Sequence, residues 1–308
     1  MSGYIVQRLI YSLLVIAGAL VLVFFILYLL PGDPVLIMLA GTPATQETVD
    51  HLRHQLGLDQ PIWVQFIRYA GGMLRGDFGT SLITNEPVLP KIVEQFPPTF
   101  VLTLTSSLVA LAAGILLGVL SAVHPNRPID LAARGISLFG ISMPTFWSGI
   151  LLIQIFSVHL NWFPATGSEG WKTLVLPSLA LGLVGSGFIV RMVRNSMLDT
   201  INEQFITTLR AKGLSETVIM YRHALRNALI PAITMIGIQF GELMAGAVVT
   251  ETVYSRQGIG RLLADAIMAK DIPVVQGVVF FTAVIYVSVN LLVDISYSVI
   301  DPRVRRSA

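Results

Sequence analysis

The sequence predicts an all-α integral membrane protein. It has six transmembrane helices, cytoplasmic N and C termini, and a small extracytoplasmic helical subdomain between the first and second spans. Three observations carry this prediction. The 308 residues are 54% hydrophobic and only 12% charged, whereas soluble domains carry about 25% charged residues, so much of the surface faces lipid. Six apolar runs come close to or exceed the roughly 20 residues that cross a hydrocarbon core about 30 Å thick. Basic residues are concentrated on one alternating set of connecting segments, which fixes the orientation.

The spans follow in order. Leu9–Leu30 is uncharged over 22 residues, Thr99–Val123 over 25, Gly135–Val158 over 24 and Thr173–Val190 over 18. Asn227–Thr250 is 24 residues with one charge, Glu242, and Ile272–Val293 gives 22. The first run exceeds the 7–15 residues of a signal h-region, and Leu-Leu-Pro-Gly-Asp follows it where a cleavage site would need small residues, so it reads as a span. Segments 1–8, 124–134, 191–226 and 303–308 carry 12 basic residues in 61 positions, against 8 in 103 for 31–98, 159–172 and 251–271. The first set is therefore cytoplasmic. The chain divides into a first transmembrane helix (1–30), an extracytoplasmic subdomain (31–98) and a five-span core (99–308) with a cytoplasmic coupling segment at 195–228.

Segment 31–98 is too polar to span and too long for a plain loop. Thr45–Leu56 reads as a short helix ended by Gly57. Asp59-Gln60-Pro61 opens a second helix with Ile62, Phe66, Tyr69 and Met73 on one face, and Gly76-Asp77-Phe78-Gly79 breaks it. Val88–Phe96 reads as a surface helix leading into Pro97-Pro98, and the whole subdomain is expected to lie on the membrane face. His51 and His54 sit three apart within it, as a metal pair or as a solvated helix face; no third His, Cys or HExxH pattern supports a metal.

Missing chemistry narrows the function. The net charge is +2 and there is no concentrated basic face, which argues against a nucleic-acid partner. There are no cysteines, so thiolate chemistry and disulfides are excluded. The chain lacks the GxxxxGK[ST] phosphate loop, the GxSxG elbow and zinc signatures, so it is expected to be neither an ATPase nor another enzyme and to bind no cofactor of its own. Six spans without an enzyme motif point to transport, conduction or signalling. Glu242 lies mid-span, where a carboxylate costs about 2.5–3.5 kcal/mol. It faces a translocation cavity or serves as a structural hydrogen-bonding group, and the sequence leaves both open. Asp294 reads as a helix-end residue paired with a nearby Arg. Gly114 and Gly118, and Gly237 and Gly241, have the four-residue spacing that allows close helix approach. Pro144, Pro177 and Pro231 can kink or start spans.

One cytoplasmic segment is too elaborate for a tether. In FITTLRAKGLSETVIMYRHALRNALIP (205–231), Phe205, Ile206 and Leu209 form an apolar face, Gly213 ends the first helix, and Ser215 can cap a second that runs through Asn227 into the fifth span. It is an amphipathic hairpin for anionic headgroups or a docking knob for a cytoplasmic partner. Arg210-Ala211-Lys212-Gly213 and the stretch that follows resemble the cytoplasmic-loop signature of binding-protein-dependent ABC importer permeases of the dipeptide/oligopeptide class. Thr207, Thr208 and Leu209 stand where the general family has E-A-A. Leu30-Pro31-Gly32-Asp33-Pro34, Leu56-Gly57-Leu58-Asp59-Gln60-Pro61, Gly76-Asp77-Phe78-Gly79, Gly140-Ile141-Ser142-Met143-Pro144 and DISYSVIDPR (294–303) extend the likeness along the chain.

The resemblance implies a channel-forming subunit of an ATP-driven importer in the bacterial inner membrane, carrying peptides or similar small solutes such as glutathione. It implies a homologous second permease and an extracytoplasmic solute-binding protein as partners. It also implies two cytoplasmic ATPase subunits that hold ATP and Mg, coupled through Glu203, Phe205, Thr208, Arg210, Ala211, Lys212, Gly213 and His223. An ion-coupled transporter would need paired intramembrane titratable groups and broken helices in related repeats; that reading and a membrane scaffold remain the alternatives.

Overall fold

In the computed structural model, described over residues 2–29, 35–36, 39, 45–55 and 57–300, the described residues form helices joined by turns and loops. The extended pairing among the described residues is a single bridge, Thr80–Pro87. Leu30–Pro34, Leu56 and 301–308, which carry parts of the expected motifs, lie outside the described residues. Four of the described helices are long and apolar enough to cross a membrane, and a bent pair passes the same test when its two helices are taken together as one span. The run expected as another span, Asn227–Thr250, lies within the continuous helix Leu225–Val253.

Two compact units emerge, Met1–Pro97 with Gly258–Ala308, and Pro98–Gln257. The sequence reading kept all of 99–308 together; in the compact units 258–308 groups with the N-terminal part. In the first unit α1 (Ser2–Leu29) runs beside the final helix, and α2 (Gln46–Gln55) and α3 (Ile62–Leu74) follow. Gly57 takes φ +68°, the left-handed conformation expected of a residue ending α2. Helix α3 starts after Pro61 and lays Phe66 and Tyr69 on Phe24 of α1, with ring centroids 5.3 and 5.6 Å apart; Met73 is buried with them. Ile62 is instead exposed, as are Trp63 and Ile67. Gly76 and Gly79, at φ +81° and +76°, turn the chain beyond α3. Asp271 then fixes the loop, accepting hydrogen bonds from the Ser81 hydroxyl and, at 3.0 Å, from the Leu82 N–H. The last helix of the unit also bonds α1, through Gln276 Nε2 to Val23 O at 3.1 Å. Arg8 pairs with Asp294 at 2.9 Å, as the sequence led us to expect.

The expected surface helix at Val88–Phe96 is corrected. It is the start of α4, a single helix over Val88–Val123 that runs through Pro97-Pro98, and Val88 and Ile92 are fully buried. Each proline removes a backbone donor at a cost of about 3 kcal/mol in a helix interior. Burial of Val88 and Ile92 before the prolines and of Thr99 and Leu102 after them holds the helix through that defect.

A second correction falls on Gly135–Val158, read as one span. It is two helices, α5 (Pro128–Ser142) and α6 (Thr145–Leu152), the latter widening into a π-helical Ile153–His159, and the pair is bent by 112°. Pro144 causes the break. Its ring pushes the preceding residue out of helical conformation, and Met143 sits at φ −86°, ψ 133°. Pro177 and Pro231, by contrast, lie inside the continuous helices α7 (Lys172–Ile201) and α9 (Leu225–Val253). Helix α7 is the spine of this unit and packs against α5, α6 and α9. The spacing of Gly114 and Gly118 serves its contact with α4, as expected. A Cβ at Gly114 would lie 2.5 Å from Ile189 Cβ, and one at Gly118 would lie 2.8 Å from Val193 Cβ. Only hydrogen fits there.

Candidate functional site

The expected coupling segment forms a short helix, α8 (Gln204–Ala211), lying between α7 and the approach to α9. Glu203 stands at its N-cap position in extended conformation, Lys212 ends it, and Gly213 turns at φ +78°. No neighbour lies within 4 Å of where a Gly213 Cβ would be, so conformation, not space, demands glycine there. Ser215 begins the next helical stretch, but its side chain makes no cap hydrogen bond. Glu216–Val218 passes through a π-helical turn, Ile219–Ala224, straight into α9.

The apolar face differs from expectation at one residue. Ile206 is fully buried and Leu209 partly so, whereas Phe205 is 38% exposed. Ile206 enters a cluster with Val119 and Ala122 of α4, Val193 and Met197 of α7, and Ile219. Burying a side chain of that size contributes about 2 kcal/mol. Helix α8 is thus seated on the ends of two long helices of its own unit while its other face stays open. Phe205, Thr207, Thr208, Arg210, Ala211, Lys212 and Gly213 are all exposed.

Electrostatics braces the turn. Arg210 donates from Nε to Glu216 Oε1 at 2.7 Å and from Nη2 to Oε2 at 3.2 Å, bridging Gly213. The guanidinium holds the Glu216 carboxyl below the usual carboxylate range, and the carboxylate raises Arg210 in turn. Thr208 Oγ1 donates to Gln204 O at 3.2 Å, within the helix. His223 is half-buried in the π-helical turn, with its carbonyl accepting from Asn227 Nδ2 at 3.3 Å. The residues from Glu203 to Gly213 therefore form one surface, with His223 on the arm behind it.

Glu242 lies elsewhere, about 25 Å beyond Leu225 along the α9 axis at about 1.5 Å per residue. It is exposed, on a stripe with Ile238, Ala245, Val249 and Thr252 at helical spacing. Among the described residues no group of three His, Cys, Asp or Glu could hold a metal; His54 Nδ1 is 2.6 Å from Asp59 Oδ2.

Three charged groups were not singled out from the sequence. Glu251 is fully buried near the end of α9 and accepts from Thr99 Oγ1 at 2.6 Å. Arg256, 5% exposed, lies close to it, and burial pushes its guanidinium pKa down. Asp130 is also fully buried; Ser121 Oγ donates to it at 2.5 Å, Asn126 N–H at 2.9 Å, and Arg194 through Nε at 2.9 Å and Nη2 at 3.1 Å. The signal available was pairing across turns: Asp130 four before Arg134, and Glu251 five before Arg256.

A helical chain with several helices long and apolar enough to cross a membrane, and a short seated helix with one open face, agrees with known proteins. The family described as "Binding-protein-dependent transport system inner membrane component" matches residues 114–306, and its companion "Binding-prot-dependent transport system membrane comp, N-term" matches 1–103. The glutathione transport system permease protein GsiC of Salmonella typhimurium (strain LT2) is 43% identical over 308 residues, 99% of each chain. GsiC of Escherichia coli (strain K12) is 41% identical over 305 residues, again 99% of each. Among solved structures, an inward-facing MetNI methionine ABC transporter chain aligns with a TM-score of 0.60 at 21% identity, covering 70% of this chain and 99% of that one. A chain of an amino acid ABC transporter with histidines aligns with a TM-score of 0.52 at 16% identity, covering 70% and 94%; both likenesses speak for the fold. The chain belongs to the family of binding-protein-dependent transport system inner membrane components, and it is the permease subunit of a bacterial ABC importer.

Proposed function

We propose that this permease forms, with a homologous second permease, the translocation channel for peptide-like solutes, glutathione among them, and that Glu203–Gly213 with His223 is the surface on which a cytoplasmic ATPase acts. The seating of α8 carries the reading: one face is anchored by Ile206 in the apolar cluster and the other is open. An exposed knob fixed to the ends of long helices can take up a partner's movement and pass it on. Two such ATPases would hold ATP and Mg, and an extracytoplasmic binding protein would deliver solute. The identity to the glutathione permeases along the whole chain supports the solute class.

The proposed topology has six spans and cytoplasmic termini. It uses the four long apolar helices, the α5–α6 pair as one bent span, and α9 as the remaining one. Glu242 then faces either the channel or the second permease, because a carboxylate on a lipid-facing stripe would carry the cost given above.

Reconstitution tests the reading. Uptake of glutathione or a dipeptide into vesicles should require ATP, the ATPases and the binding protein. Gly213→Pro, which cannot adopt φ +78°, and Ala211→Glu on the open face should abolish uptake while membrane insertion persists. Uptake driven by a proton gradient alone, or normal uptake in both variants, would sink the proposal.

A further inference from the structure

Asp130 lies in the first turn of α5, three residues after its N-cap Arg127, so a carboxylate there already suits the helix N-terminus. Its contacts exceed what capping needs. Ser121 belongs to the end of α4, Asn126 to the left-handed turn at φ +60° before α5, and Arg194 to α7. Arg134 adds a nitrogen at 3.3 Å from the next turn of α5. One carboxylate therefore joins three helices.

The position of Arg194 on α7 gives this junction its meaning. Val193 and Met197, on the same turn and the next, are fully buried in the cluster that receives Ile206 of α8. The α7 segment 193–197 thus holds the seat of the coupling helix on one face and the Asp130 pair on another. The rest of the α5–α7 seam is tight without Asp130. Ser137 Oγ donates to Gly187 O at 2.7 Å, and a Cβ at Gly140 would lie 2.8 Å from Leu183 O. Removing the Asp130 charge should therefore leave the two helices packed while loosening the end nearest α8.

We propose that Asp130 is a positioning residue for energy coupling: through Arg194 it ties the first turn of α5 to the α7 turn that seats the coupling helix, so that displacement of α8 is passed to the bent pair α5–α6. The proposal rests on the assignment of α8 as the coupling helix. At that end of the seam the bidentate guanidinium–carboxylate pair fixes both distance and angle.

The test uses the absence of cysteine in this chain. Leu131→Cys places one thiol on the exposed face of α5 near its start, in the expected cytoplasmic segment 124–134, where Leu131 is 68% exposed. In the transporter assembled with cysteine-free ATPases, maleimide labelling at that thiol is compared with and without ATP, alongside ATP hydrolysis. Adding Asp130→Asn should keep hydrolysis within about twofold and reduce the ATP-dependent change in labelling about tenfold. Arg194→Lys, which keeps the charge but offers a single bond, should fall between. If Asp130→Asn leaves both readouts intact, the proposal is overturned. It is equally overturned if Asp130→Asn and Arg194→Lys both prevent assembly, which would make the cluster structural only. A labelling level indifferent to ATP even with Asp130 present would defeat the coupling assignment and this proposal together, whereas loss confined to the Asp130 variant supports both.

Discussion

Two buried aspartates hold two parts of this permease in different ways. Asp271 anchors the loop after Gly79 with bonds from a hydroxyl and a backbone N–H. Asp130 joins α4, α5 and α7 with a hydroxyl, a backbone N–H and two guanidinium groups. The first joint ties a loop to the turn that begins a long helix, 190 residues on in the sequence. The second lies within the unit that carries α8. Hydrogen bonds to a carboxylate net about 1.5–3 kcal/mol each, and a neutral donor that loses its acceptor leaves no charge behind. An ion pair out of water is costly to build and more costly to break, because the surviving charge is left behind. Joints that must keep their geometry under load suit the second kind.

The comparison breaks most readily at the aspartates themselves. Asp130→Ala strands the Arg194 guanidinium, whose side chain is 17% exposed, and should destabilise the fold by about 3 kcal/mol. Asp271→Ala leaves one hydroxyl and one N–H without their acceptor and should cost about 1–2 kcal/mol. Unfolding of each variant in detergent, followed by helix signal against denaturant, checks the order. Equal losses would mean that the charge at Asp130 adds nothing beyond its hydrogen bonds.

Glycines sharpen the same contrast on the packing side. A Cβ at Gly182 would meet Ser106 O and Val109 Cβ at 2.8 Å, and neither can move without its helix. A Cβ at Gly277 would meet Val88 Cγ1 at 2.7 Å and Ile92 Cδ1 at 3.2 Å, side-chain atoms with some freedom. Gly182→Ala should therefore cost about 2 kcal/mol and Gly277→Ala about 1 kcal/mol. The same unfolding experiment reads both, and a larger loss at Gly277 would show that the first unit is the more rigid.

The sequence made the long helices legible because lipid demands uninterrupted apolar runs, and no other environment gives that pattern. It made Gly57, Gly76 and Gly213 legible as turns because positive φ selects glycine. It failed where a local signal was overruled by packing. Pro97-Pro98 looked like a stop yet lies inside α4, since the residues on both sides are buried. Pro144, read as able to kink or start a span, starts α6 after a break of 112°; here the local signal acted, through Met143 ahead of it, and the span drawn across it was wrong. Helix α8 was placed by motif and periodicity, with Phe205 assigned to the wrong face because an eight-residue helix offers too few turns to fix its phase. Arg194 entered the sequence reading only among the basic residues counted in 191–226, and Asp130 was not singled out; their 64-residue separation hides a pair that only the α5–α7 seam brings together.

The smallest effect concerns the surface pairs, one in each unit. Arg210–Glu216 bridges Gly213 with two bonds, and Lys91–Glu86 closes the 84–91 loop at 2.7 Å. In each pair the cation's hydrogen bond is the main cause holding the glutamate carboxyl below its ordinary value. A depressed carboxylate contributes above its unfolded pKa, about 4.3 for Glu, and that contribution disappears as pH falls through the lower folded value. From pH 8 to 5 both pairs should therefore stay closed. Only below about pH 4 should they open, and earlier in high salt, which screens exposed charges. A spin label on Thr207→Cys would read the turn at Gly213, and one on Ile83→Cys the other loop, both positions being exposed. Label mobility at Thr207→Cys should rise in acid more than at Ile83→Cys, because backbone bonds from Ser81 N–H to Glu86 O at 2.9 Å and from Val88 N–H to Gly79 O at 3.0 Å still hold the latter loop. Mobility that rises at Thr207→Cys already between pH 7 and 5 would mean that the Arg210–Glu216 brace is not what orders the turn at Gly213.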